Sequence, residues 1–146
     1  MSEKQPDPGP EIAVIDDDNE LLKLMVLLLR RLGARTTTIP DGREAVQYLT
    51  NHVPDLIILD LMLPHVSGLE ILQQIRADTR FESVPVLVLS AKVDPNTIRQ
   101  VLEAGADGYV TKPYIANSFI DRVRLLLTAG RQHNSPPETR LPAEPA

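Results

Sequence analysis

Four short stretches of the chain carry side chains that could do chemistry together. Three successive acids, Asp16-Asp17-Asp18, follow the apolar run ending at Ile15, and Asp60 follows the run ending at Leu59. Ser90 follows Leu89, and Lys112 follows Tyr109-Val110-Thr111. Each has an ordinary reading. Asp16 to Asp18 could cap a helix, Asp60 could start a turn toward Pro64, Ser90 could be an N-cap, and Lys112 could be a solvated strand-end lysine. Capping needs only one acid, which leaves the cluster unexplained. Carboxylates gathered in a partly desolvated pocket repel and raise one another's pKa unless a cation neutralises them. With no cysteine and only scattered histidines (His52, His65, His133), the donor set is hard and oxygen-only. That set suits Mg²⁺ rather than zinc. A metal there could bridge a carboxylate and an incoming phosphoryl group, making Asp60 a nucleophile, with Lys112 and Ser90 as donors to phosphoryl oxygens. The chemistry is phosphoryl transfer to a carboxylate.

Those side chains meet only if the intervening elements bring them to one edge. Ile12-Ala13-Val14-Ile15 predicts a buried strand, and Leu21 to Leu32 a helix stopped by Gly33. The β-branched Thr36-Thr37-Thr38-Ile39 predicts a second strand. Asp41 then opens a helix, with Glu44 as its capping-box partner. Asp55-Leu56-Ile57-Ile58-Leu59 is the clearest strand, and Ser67-Gly68-Leu69-Glu70 repeats the capping box before a helix to about Ala77. Val84 to Leu89 predicts a strand, Asp94-Pro95 a helix start, and Gly105 its stop. Tyr109-Val110-Thr111 predicts the fifth strand and Ile115 to Leu127 the last helix. The order is (βα)₅. Strands apolar throughout predict a doubly wound five-stranded parallel sheet covered on both faces. Ligands of such sheets bind beyond the carboxyl ends of the strands, where all four stretches fall.

Composition narrows the field. The 146 residues carry 20 acids against 15 Lys and Arg, a net charge of −5, which argues against direct binding of nucleic acid. No stretch is long and apolar enough for a membrane span, and Leu21 to Leu29 is broken by Lys23 and lacks the basic flank of a signal peptide. A cytoplasmic protein is the expectation. Of the 13 prolines, three lie in residues 1–10 and four in 136–146. We therefore expect a disordered tail over 1–10, one folded domain over 11–130, and a Pro-rich tail or linker over 131–146.

At these residues the sequence resembles the receiver (REC) domain of two-component response regulators, over about 11–130. Ala13-Val14-Ile15-Asp16-Asp17-Asp18 resembles the family's acidic motif, and Asp55 to Pro64 its phosphoacceptor segment. The resemblance implies strand order 2-1-3-4-5, flavodoxin-like, and a phosphorylated Asp60. It implies Mg²⁺ held by Asp17, Asp60 and the Met62 backbone carbonyl, with Asp16 acting mainly through water. Ser90-Ala91 matches the switch hydroxyl and its small neighbour. Gly105 to Pro113 matches the lysine motif, implying a cis bond between Lys112 and Pro113 and a rotameric switch at Tyr109. Met62 and Lys92, two residues after Asp60 and Ser90, stand where receivers tune dephosphorylation. The implied donor is a phosphohistidine on a sensor histidine kinase or phosphotransfer protein. An output partner or effector domain, and a phosphorylation-dependent homodimer, belong to the same expectation. The domain would catalyse only its own phosphorylation and dephosphorylation.

Two positions depart from the pattern. His65 stands where the family often has Gly and reads as an exposed loop residue. Gly108 replaces a second acid common in regulators with a winged-helix DNA-binding domain, which argues against that subclass. An alternative of another class is an Asp-nucleophile, Mg²⁺-dependent phosphatase of haloacid-dehalogenase type, since Asp16 and Asp18 have its D-x-D spacing. Glu20, however, stands where that motif has Thr or Val. A flavin module of the same fold would have its phosphate repelled by the acids after strand 1. A pseudo-receiver would have lost an aspartate or the lysine, and all are present.

The first helix carries one more candidate. Its 3.6-residue periodicity predicts a core stripe of Leu21, Leu24, Met25, Leu28 and Leu32, with Leu22 and Leu29 at the edges. Val26 and Leu27 then face outward beside Lys23 and Arg30. They form an apolar centre with a charged rim, suited to docking the kinase or phosphotransfer protein.

Overall fold

The computed structural model describes residues 8–114 and 116–131. Five strands alternate with five helices: β1 (Glu11–Ile15), α1 (Asn19–Arg30), β2 (Arg35–Ile39), α2 (Gly42–Asn51), β3 (Leu56–Leu59), α3 (Gly68–Ala77), β4 (Val86–Ser90), α4 (Pro95–Glu103), β5 (Gly108–Thr111) and α5 (Ala116–Ala129). A 3₁₀ turn, Thr79–Phe81, precedes β4. The strands form one parallel sheet in the order β2-β1-β3-β4-β5. Strands β3 and β4 are buried at every position, whereas the edge strand β2 exposes Arg35 and Thr38.

Side chains alternate between the two faces of the strands, so each apolar run feeds two cores. Ala13, Ile15, Ile57, Leu59, Val86, Val88 and Tyr109 pack with α2, α3 and α4. Ile12, Val14, Leu56, Ile58, Leu87, Leu89 and Val110 pack with α1 and α5. Helix starts follow the capping signals. Asp18 accepts from the Glu20 and Leu21 amides, Ser67 from Glu70, and Asp94 from Thr97 with Pro95 opening the helix. Asp41 accepts from Arg43 at the start of α2. Gly33, at φ +69, turns the chain after α1.

The stripe on α1 differs from the periodic reading. Leu22, Met25, Leu28 and Leu29 are buried, Leu21 and Leu32 are half-buried, and Leu24 is 44% exposed. The stripe is turned by roughly 40° toward Leu22 and Leu29, less than half the step of about 100° between successive residues. Seven of the twelve positions from Leu21 to Leu32 are leucine, which leaves that phase weakly fixed, and contact with both α5 and the sheet sets it. Leu27 faces solvent, but Val26 is only half-exposed.

The expected tails fall mostly on residues 1–7 and 132–146, outside the described residues, as does Ile115 at the expected start of the last helix. Among the described flanking residues, Pro10 accepts from the Arg35 amide and Arg131 is bonded into the domain. No described helix is long and apolar enough to cross a membrane.

Candidate functional site

The carboxyl ends of β1, β3, β4 and β5 deliver Asp16, Asp60, Ser90 and Lys112 to one edge. Ser90 is the last residue of β4 rather than the first after it. Asp16, Asp60 and Ser90 are buried, and Asp17 is exposed beside them. Asp16, Asp17 and Asp60 each offer one carboxylate oxygen, all within 4.8 Å of one another. The Lys112 ammonium stands 2.8 Å from Asp16 Oδ2 and 3.3 Å from Asp60 Oδ2.

The backbone completes the cradle. Asp60 Oδ1 accepts from the Met62 amide at 3.2 Å, and Asp16 Oδ1 from the Asp18 amide at 2.9 Å. Gly68 lets α3 start against the Asp60 backbone, because a Cβ there would sit 2.1 Å from the Asp60 carbonyl oxygen. Glycine at that position closes the loop after Asp60, although sequence alone shows it only as the second residue of a capping box.

Electrostatics follow from crowding. Burial pushes the Asp60 carboxyl above its ordinary pKa, and the Asp16 charge adds to the rise; the Met62 amide and Lys112 oppose it. Burial would lower the Lys112 ammonium, but the Asp16 hydrogen bond and the charges of Asp60 and Asp16 outweigh it and hold its pKa above the usual value. Two buried carboxylates, an exposed third and no sulfur or imidazole ligand make a set that fits a hard divalent cation. Asp17, Asp16 and Asp60 would hold it.

The rim carries the remaining predicted residues. Ser90 Oγ accepts from the Lys92 amide at 3.3 Å, and Ala91 and Lys92 are exposed. Tyr109 is fully buried, its hydroxyl donating to the Lys92 carbonyl at 2.7 Å. Met62 is 57% exposed. The Lys112-Pro113 peptide is cis. Val26 and Leu27 lie on α1. His65 is exposed as expected but adopts φ +72, and its Nδ1 lies 3.3 Å from Asp41, the N-cap of α2. No sequence signal linked those two residues, 24 positions apart. Asp18, the second acid of the D-x-D spacing, is exposed and directs Oδ1 to the α1 amides of Glu20 and Leu21. That cap role leaves the phosphatase alternative without its acid.

A nucleophilic carboxylate, a metal-binding acid set, a hydroxyl and a lysine at the carboxyl edge of a 2-1-3-4-5 parallel sheet define a phosphoacceptor class of protein. The family model for the response regulator receiver domain matches residues 12–124, and the chain belongs to that family. It is 39% identical over 127 residues to the DNA-binding response regulator MtrA of Mycolicibacterium smegmatis, covering 87% of this chain and 54% of that protein. It is 39% identical over 113 residues to the transcriptional regulatory protein KdpE of Mycobacterium tuberculosis, covering 77% of this chain and 49% of that one. The chain thus spans about half the length of these relatives. Among solved structures it resembles the receiver domain of the Francisella response regulator 1452 (TM-score 0.76, 30% identity, 82% of this chain and 98% of that one). It also resembles the BeF₃-activated DrrB receiver domain (TM-score 0.75, 35% identity, 82% and 98%). Gly108 departs from the second acid, yet it does not separate the sequence from relatives named as DNA-binding regulators.

Proposed function

We propose that Asp60 accepts a phosphoryl group from a phosphohistidine of a sensor histidine kinase or phosphotransfer protein. The observation that carries this reading is the buried Asp60 carboxylate, paired with Lys112 and facing Asp16 and Asp17. An Asp60 oxygen attacks phosphorus as the N–P bond breaks; the histidine keeps the electron pair and regains a proton from solvent. Lys112 and Ser90 donate to the phosphoryl oxygens, and Met62 N–H steadies the other Asp60 oxygen. Asp17 and Asp60, with the Met62 carbonyl and Asp16, would hold Mg²⁺, which would neutralise the gathered negative charge. A receiver of Pseudomonas aeruginosa PA1611 with magnesium in its active-site cleft, 28% identical, supports the choice of ion.

The product is a signal. Ser90, Ala91 and Tyr109 would report phosphorylation to the surface formed by α4, β5 and α5, which an output partner, an effector domain or a second copy reads. Met62 and Lys92 would tune hydrolysis, and Val26 with Leu27 would dock the phosphodonor. Activity confined to its own phosphorylation, and a cytoplasmic site of action, complete the proposal, with the Pro-rich stretch that follows Arg131 a tail or linker. MtrA and KdpE, by their names, act on DNA and transcription; in a longer protein of that kind DNA contact would fall outside this acidic domain. Incubation with acetyl phosphate and Mg²⁺ tests the reading: wild type should gain one base-labile phosphoryl group, and Asp60→Asn none.

A further inference from the structure

At the end of the sheet opposite Asp60, a second ionic cluster is buried more deeply than the first. Asp107, just before β5, has a side chain with no exposure, and two guanidiniums share its carboxylate. Arg76 from the end of α3 reaches Oδ2 at 2.9 Å, and Arg131, two residues past α5, reaches Oδ1 at 3.1 Å. The Val86 amide also donates to Oδ2. Arg131 makes two further bonds, to the carbonyls of Glu82 (3.1 Å) and Gly105 (3.3 Å), and its side chain is only 12% exposed. Arg76 bonds the same Gly105 carbonyl and that of Phe81. Burial and the neighbouring Arg131 charge bring the Arg76 pKa down to about 10.

The placement of Arg131 is unusual for a residue at a domain edge. Gly130, at φ +78, turns the chain off α5, and Arg131 then reaches the Glu82 carbonyl between the 3₁₀ turn and β4. Three bonds from one planar fork fix both the position and the direction of that residue. Without Arg131, Asp107 still keeps Arg76 and the Val86 amide on Oδ2. Long arginine side chains at chain ends ordinarily stay solvated, because ordering one costs up to about 2 kcal/mol of rotamer entropy.

We propose that Arg131 is a clasp that fixes the direction in which the chain leaves the domain. The last described residue is held against the Glu82 and Gly105 carbonyls, so the point at which the chain leaves the domain is fixed. A partner or further domain carried there is presented at a set orientation to the receiver.

The absence of cysteine makes the test direct. Spin labels on cysteines introduced at Asn51, at the exposed end of α2, and at Gln132 report the joint; a pair at Asn51 and Asn96 reports the domain. The clasp predicts a single narrow 51–132 distance distribution. In Arg131→Gln its width should at least double while the 51–96 distribution stays unchanged. A 51–132 distribution equally wide with and without the arginine would overturn the proposal. Broadening of both pairs would overturn it as well, since Arg131 would then hold the domain together rather than aim the chain.

Discussion

The Tyr109 hydroxyl donates to the Lys92 carbonyl at 2.7 Å, so the middle of β5 is tied to the loop that leaves Ser90. Ser90 joins the same link, because Lys92 also donates its amide to Ser90 Oγ. Tyr109→Phe removes the bond and leaves a carbonyl without its donor. We expect a loss of about 1 kcal/mol in urea denaturation, with labelling by acetyl phosphate retained. Loss of labelling together with unchanged stability would mean that the hydroxyl serves phosphoryl transfer rather than the loop.

Ionising Asp60 costs more in the folded chain than in the unfolded one. Its pKa is raised by burial and then by Asp16, so the folded chain binds this proton more tightly than the unfolded chain does. Stability from this group is therefore present at low pH and lost as pH rises through the folded-state value, with the penalty complete above it. In EDTA, Asp60→Asn should melt higher than wild type at pH 7, with the gap closing as pH falls toward 3.8, the ordinary carboxyl value. A constant gap across that range would show that repulsion at Asp60 is not the source.

Mg²⁺ relieves the same repulsion. At about 100 times its Kd a ligand adds roughly 2.7 kcal/mol by mass action. Wild type should melt several degrees higher in Mg²⁺ than in EDTA, and Asp17→Asn should lose most of that shift without losing its fold. Equal shifts in the two proteins would remove Asp17 from the metal site.

On α1 the exposed apolar pair is Leu24 and Leu27, with Val26 half-exposed. Replacing Val26 and Leu27 by serine should weaken docking of the phosphodonor by on the order of 1–3 kcal/mol. Acetyl phosphate labelling and melting temperature should hold. If both phosphorylation routes fall together, the face is structural.

Met62 lacks a donor and Lys92 carries a charge, and both face solvent at the rim of the site. We expect slow self-dephosphorylation, quickened in Met62→Asn combined with Lys92→Glu. An unchanged rate of phosphate release in the double variant would exclude these side chains from control of hydrolysis.

The elements that were legible in the sequence were those with a strong local cause. Leu56-Ile57-Ile58-Leu59 has no reading but a buried strand, and Ser67 and Asp94 cap the helices their spacing announces. Four functional side chains could be assembled because a parallel sheet sends every strand's carboxyl end to one edge. What escaped depended on contacts between distant residues. The phase of α1 was set by its neighbours, since its leucine-rich sequence permits several stripes. The pairing of His65 with Asp41, and of Arg131 with Asp107, joins positions 24 apart in each case, with no periodic signal to connect them.

The central claim rests on one carboxylate. After incubation with acetyl phosphate and Mg²⁺, peptide mass analysis should find a single phosphoryl group, on Asp60, released by base or hydroxylamine and absent from Asp60→Asn. The same label on Asp60→Asn, or a label carried by Asp16 or Asp17 in the wild type, would contradict the account.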